Sequence, residues 1–167
     1  MEQKLQQWIT DILYKHPEVI ELALKKRSKF EGWLKLELAA KAIQQHDISH
    51  VAVEETYGPN NYKADLSFQF DGNIYYIEMK TPHRIGWMVK EDTRKLKTCE
   101  GQGILVFALF PVPHNNTDWQ QDCQLWIANI ANITVDWKRY CTQLPQKLSD
   151  GSICDIVIGC INIHNNG

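Results

Sequence analysis

Apolar positions in the N-terminal quarter of the chain recur at the three- and four-residue spacing of amphipathic helices. Leu5, Trp8, Ile9, Ile12 and Leu13 form one stripe of a helix predicted over Leu5 to Lys15. Pro17 suits the first turn of a second short helix reaching about Lys26. The segment "FEGWLKLELAAKAIQQ", Phe30 to Gln45, is rich in Leu, Ala and Lys and predicts the strongest helix of the chain. The period then changes. "HVAVEETY" (His50 to Tyr57) reads as a strand, "GPNN" as a turn, and "YKADLSFQFDGNIYYIEMKT" (Tyr62 to Thr81) as two strands folded on a glycine turn. Asp92 to Glu100 predicts a helix, and "GILVFALFPV" (Gly103 to Val112) a buried strand closed by prolines. Trp119 to Ala131 predicts a helix with Trp126, Ile130 and Ile133 near one face, and Asp155 to Ile163 a last strand. This order predicts an α/β fold with helices flanking a central mixed sheet.

The hairpin is unusual in its charges. Asp, Glu and Lys are depleted in strands, yet Asp65, Glu78 and Lys80 interrupt otherwise apolar stretches. Asp-Gly suits a two-residue type I′ turn. With Asp71 and Gly72 as the loop, Phe70 pairs with Asn73 and, counting outward, Asp65 lies directly opposite Glu78. Opposite side chains have Cβ atoms about 4.5 to 5.5 Å apart, so the two carboxylates repel unless a cation or a proton neutralises them. Hard divalent cations take oxygen ligands, often one or two carboxylates plus waters and substrate phosphates. Lys80 points to the same face as Glu78 and could orient a water or balance charge on a phosphoryl group. The pattern equally describes an edge hairpin whose polar face, with Ser67 and Gln69, meets solvent. Ile74 and Tyr76 on that same face oppose the second reading.

Composition narrows the classes. At 167 residues, 44% hydrophobic and 23% charged, the chain suits one globular domain. No apolar run approaches the roughly 18 to 20 residues of a membrane helix, and the polar N-terminus does not read as a signal peptide. The five cysteines are odd in number and contain no Cys-x-x-Cys pair. A zinc site or disulfide framework is therefore not expected, and a reducing cytoplasm is. The six histidines show no ligand spacing such as His-x-x-x-His. A net charge of −2 excludes nucleic-acid binding by overall charge. Local basic clusters remain at Lys25 to Lys29 and Lys90 to Lys97, where either could contact phosphates or form a solvated helix face.

An Asp on one strand followed by Glu-x-Lys on the next, here Asp65 and "EMK" (Glu78, Met79, Lys80), with a helix before them, resembles the PD-(D/E)XK, restriction-endonuclease-like nuclease superfamily. The resemblance spans about Phe30 to Pro111. Ala64 stands where the motif's name has Pro. In this superfamily a glutamate on the preceding helix often joins the metal site, and Glu31 and Glu37 compete for that place. Glu37, Lys41, Gln44 and Gln45 share one polar arc, whereas Glu31 lies near Leu38 and Ala42 at the edge of the apolar face. "EGWLKLEL" also resembles the Glu-x-x-x-Arg/Lys-x-x-Leu helix of type I restriction nuclease subunits, through Glu31, Lys35 and Leu38. Glu31 is therefore the expected member.

The resemblance implies a single domain over residues 1–167 with a restriction-endonuclease-like core. It implies a metal-dependent nuclease hydrolysing phosphodiester bonds in nucleic acid, DNA first. Asp65, Glu78 and Glu31 would hold Mg²⁺ or Mn²⁺, and Lys80 would position the attacking water. In several families a Lys or Gln on the following helix reaches back toward the site; Lys95, then Arg94, match that position. Cutting both strands would call for a homodimer or a partner specificity chain. The alternative reading, from a different class, is a catalytically silent nuclease-like module that binds or regulates.

Overall fold

A computed structural model of the chain describes residues 1–26, 29–128 and 137–163. Three helices, α1 (Glu2–Lys15), α2 (Pro17–Lys25) and α3 (Phe30–Ile43), precede the first strand. Then come β1 (Ile48–Val53), β2 (Thr56–Tyr57), β3 (Tyr62–Lys63), β4 (Leu66–Phe70) and β5 (Asn73–Lys80). Helix α4 (Trp87–Leu96) leads into the long strand β6 (Gln102–Pro113). After α5 (Trp119–Cys123) and a π-turn (Gln124–Ala128) the described chain resumes at the single-turn helix α6 (Trp137–Tyr140). It ends with β7 (Cys141–Lys147) and β8 (Ile153–Asn162).

Six strands form one mixed sheet in the order β1-β4-β5-β6-β8-β7, while β2 and β3 pair separately. Only β5 and β6 run parallel, joined by the α4 crossover; the other neighbours are antiparallel. Alternation along each strand sorts side chains between two apolar layers. Ile77 and Met79 of β5, with Ile104, Val106 and Ala108 of β6, pack toward α1 and α3. Tyr76 of β5, with Leu105 and Phe107 of β6, packs toward Val89 and Leu96 of α4 and Trp119 of α5. The α/β architecture, a six-stranded mixed sheet flanked by helices, is the predicted fold class.

The tip of the β4–β5 hairpin follows the sequence prediction. Asp71 and Gly72 both have positive φ, 48° and 72°, as a type I′ turn requires. Phe70 pairs with Asn73 and Leu66 with Ile77. The ladder ends there, and Asp65 lies in a bend just before β4, where its carboxylate accepts from the Met79 N–H of β5.

Elsewhere the elements differ from the pattern. The predicted strand His50 to Tyr57 is broken. His50 and Glu54 have φ of 52° and 57°, the ladder with β4 slips between Ser49 and Ala52, and Thr56–Tyr57 joins β3 instead. Helix α4 begins five residues before the predicted Asp92, directly after Gly86, and ends at Leu96. The predicted helix from Trp119 passes into a π-turn at Gln124, and its last residues, 129–131, lie outside the described residues. Strand β7 was not predicted: it carries Pro145 on an edge, the place where a sheet tolerates a residue without an N–H.

Gly159 of β8 sits opposite Phe107, and a Cβ there would lie 2.2 Å from the Phe107 ring. Gly159→Ala is expected to destabilise the fold by about 1–3 kcal/mol, the usual cost of overpacking, read as a lowered urea midpoint.

Candidate functional site

The candidate site lies at the C-terminal end of β5. Four elements reach it: the first turns of α3, the bend before β4, β5 itself and α4. The predicted residues fall into three neighbouring groups of contacts: Glu31 with Lys80, Asp65 with Lys35, and Glu78 with Tyr57. Glu31 accepts a hydrogen bond from the Thr81 backbone N–H through Oε2 at 3.1 Å, and its Oε1 lies 3.6 Å from Lys80 Nζ. Asp65 accepts from the Met79 backbone N–H at 2.7 Å, and its other oxygen lies 3.5 Å from Lys35 Nζ. Both carboxylates are thus anchored on the backbone of the strand that carries Glu78 and Lys80. Glu37 is elsewhere, lining a small cavity with Asp11, Lys15 and Lys41 between α1 and α3, and Lys41 pairs with Asp11 at 3.6 Å.

Glu78 is buried, only 3% exposed, and accepts a hydrogen bond from Tyr57 Oη at 2.8 Å. Tyr57 is itself buried and stacks on Tyr76 with ring centres 5.0 Å apart. Burial chiefly, then the charge of Glu78, pushes the Tyr57 phenol far up, so it stays a donor. Burial pushes the Glu78 carboxyl up to about 7. The Tyr57 hydrogen bond pulls it down, while the charges of Asp92 and Asp65 push it further up.

Asp92, only 2% exposed, ties the site together. Its Oδ1 accepts from Lys95 Nζ at 2.9 Å and its Oδ2 lies 3.4 Å from Lys80 Nζ. Among the described residues no donor meets that Oδ2 in hydrogen-bonding geometry. Burial pulls the Lys80 ammonium down, but Asp92, Glu31 and Asp65 together outweigh it and hold its pKa above the ordinary lysine value. Lys80 is therefore a cation at neutral pH, able to donate hydrogen bonds and balance negative charge but not to accept a proton. Lys95 behaves in the same way, lowered by burial and raised further by Asp92. Arg94 faces outward and pairs with Glu91 at 3.0 Å.

Asp92 and Tyr57 escaped the sequence reading. Val89, Asp92, Thr93 and Leu96 are all buried and occupy the inner stripe of α4. A carboxylate at that spacing is a detectable signal, but starting the helix at Asp92 removes Val89 and hides the stripe. Nothing local in "HVAVEETY" points Tyr57 at Glu78, because Tyr57 donates from β2, which pairs with β3 apart from the main sheet.

Carboxylate oxygens are the donors that hard cations take. Glu78 carries a carboxyl that burial and two neighbouring carboxylates disfavour as an anion, and Asp92 has a buried oxygen short of a donor. Among the described residues no three His, Cys, Asp or Glu side chains converge as a ready-made cage. Mg²⁺ does not require one, since one or two carboxylates plus waters and substrate phosphates commonly suffice.

Glu78's carboxyl sits at about 7 in the fold against an ordinary 4.5. Between those values the folded chain keeps a proton that the unfolded chain has released, so stability falls as pH rises. In EDTA, the wild type is expected to lose about 2 kcal/mol more than Glu78→Gln across this window. Urea unfolding at several pH values checks it; parallel pH profiles for the two proteins would refute it.

No protein-family model, no curated protein and no solved structure matches the chain, so its functional reading rests on this geometry and on the motif.

Proposed function

We propose that the protein is a metal-dependent nuclease with a restriction-endonuclease-like core, hydrolysing phosphodiester bonds in nucleic acid, with DNA the first substrate to test. The supporting observation is that Glu31 and Asp65, from two separate segments, are both anchored on the backbone beside Glu78 and Lys80. A surface hairpin with a wet polar face has no reason to draw in a helix glutamate and bury Glu78 under Tyr57.

Asp65, Glu78 and Glu31 would hold Mg²⁺ or Mn²⁺. The bound cation would supply Lewis acidity toward the phosphate and a more acidic water. The chain's own residues do the rest. Lys80, held as an ammonium by Asp92 and Glu31, donates a hydrogen bond that orients the attacking water and balances charge building on the phosphoryl oxygens. Tyr57 fixes the rotamer of Glu78 by donating to one carboxylate oxygen, leaving the other for a ligand. The backbone N–H groups of Met79 and Thr81 fix one oxygen each of Asp65 and Glu31.

A second reading, a nuclease-like module without turnover, is favoured by the lysines. Lys35 lies on Asp65, Lys80 on Glu31 and Asp92, and Lys95 on Asp92, so much of the negative charge is already compensated within the chain. Calorimetric titration with Mn²⁺ separates the two.

If the site works as proposed, Lys80→Ala is expected to lower turnover on DNA by roughly two to four orders of magnitude while leaving Mn²⁺ affinity unchanged or raised. Glu31→Gln should abolish metal-dependent cleavage, whereas Glu37→Gln should leave it nearly intact; the reverse pattern would place the helix glutamate wrongly.

Thermal melts provide a test free of turnover. Mn²⁺ should raise the melting temperature of the wild type, and the rise should shrink in Asp65→Asn and Glu78→Gln. Equal metal-induced shifts in all three proteins would defeat the proposed ligand set.

A further inference from the structure

The end of β5 opens into a cavity of about 240 Å³, lined by Pro82, His83, Gly86, Met88 and Val89 together with Glu31 and Lys80. That is below the roughly 300 Å³ at which drug-sized sites begin, leaving room for one small group. The wall is fixed in place at two points. The Pro82 carbonyl accepts from the Phe110 N–H of β6 at 3.2 Å, and Arg84 is held by Asp122 of α5 at 3.1 Å. Gly86 contributes part of the room, because a Cβ built there meets nothing within 4 Å. An apolar slot that also carries the charges of a phosphodiester site suits a group that is apolar on its faces and joined to a phosphate.

A second, larger opening of about 550 Å³ lies where α2 meets α3, lined by Leu22, Lys25, Lys26, Lys29, Phe30 and Trp33. The three lysines are exposed, and Trp33 stacks on Phe30 with ring centres 5.6 Å apart. Lysines beside a partly exposed tryptophan are the groove chemistry of strands bound by phosphate and stacking. Both openings are lined by the first turn of α3, one through Lys29 and Phe30, the other through Glu31. Lys29 and Phe30 of this opening directly precede Glu31 of the carboxylate site in the chain.

We propose that the protein takes a single nucleic-acid strand, its phosphates carried over Lys25, Lys26 and Lys29 and one unstacked base lodged between Pro82 and Met88 beside Lys80. The inference rests on the nuclease reading and narrows it to single-stranded or frayed substrates. A continuous duplex keeps its bases stacked inward and cannot fill the slot without paying to unpair one.

The test measures binding in EDTA, where no turnover occurs. The probes are a short DNA strand carrying one 2-aminopurine, its duplex with a complement, and the RNA versions of both. The single strand is expected to bind at least tenfold more tightly than the duplex, with a change in 2-aminopurine fluorescence as the base leaves its neighbours. Either backbone meeting this supports the inference, and the tighter one names the substrate. Gly86→Leu fills the slot and should weaken single-strand binding roughly tenfold, within the range a lost base stack costs. Met88→Asp supplies a check on folding. Met88 is 61% exposed in the first turn of α4, where an acidic residue favours the helix, yet the new charge faces the incoming strand and should also weaken binding. Replacing Lys25, Lys26 and Lys29 together by Gln should lower the slope of log affinity against log salt by about two. Equal binding of strand and duplex, untouched by Gly86→Leu and Met88→Asp, overturns the base slot and leaves the nuclease reading standing. No binding of any probe, together with no Mn²⁺ effect on melting, overturns both.

Discussion

A two-residue turn decides which side chains of this protein can meet. Asp71 and Gly72 both adopt positive φ, and the hairpin they close pairs Phe70 with Asn73 and holds that register to Leu66 and Ile77. Side chains alternate between faces with a period of two, so a slip by one residue would carry a strand's whole set to the opposite side. In the observed register Ile77 and Met79 enter the core under α1 and α3, and Glu78 and Lys80 face α4. A one-residue slip would bury the charges among the leucines of α3 and turn the core residues toward Asp92. The turn thus sets both the apolar layer and the polar cluster.

The polar cluster is held by mutual compensation. A buried carboxylate is costly alone and tolerable when paired and hydrogen-bonded. Glu78 has a phenol donor and a raised pKa; Asp92 has Lys95 at one oxygen and Lys80 at the other. Lys80 in turn answers to Glu31 as well, so α3, β5 and α4 are linked from one face of the sheet around its end to the other. The compensation is incomplete at Asp92 Oδ2, a buried acceptor that no donor meets among the described residues.

The parts of the structure legible in the sequence were those encoded locally. The stripe Leu5, Trp8, Ile9, Ile12 and Leu13 is buried as its spacing requires, and Asp-Gly set the hairpin register from Phe70–Asn73 to Leu66–Ile77 because turn chemistry acts over four residues. Glu31 was separable from Glu37 because an edge-of-stripe position turns a side chain toward the sheet. The parts that escaped depend on contacts distant in sequence. Asp92 reads as an ordinary surface residue until Val89 is included in its helix, and Tyr57 donates to Glu78 from β2, which pairs with β3 apart from the main sheet. Strand β7 is stabilised by its pairing to β8 rather than by its own residues, which include Pro145.

The two outermost strands share a property. At one edge, β1 is deformed by the bulge at His50 and stops at Glu54; at the other, β7 carries Pro145 and ends at Lys147. Each device interrupts the row of free N–H and C=O groups on which a foreign strand could align. Among the described residues the sheet therefore offers no clean template for growth. The same interruptions work against the merging of two copies' sheets into one.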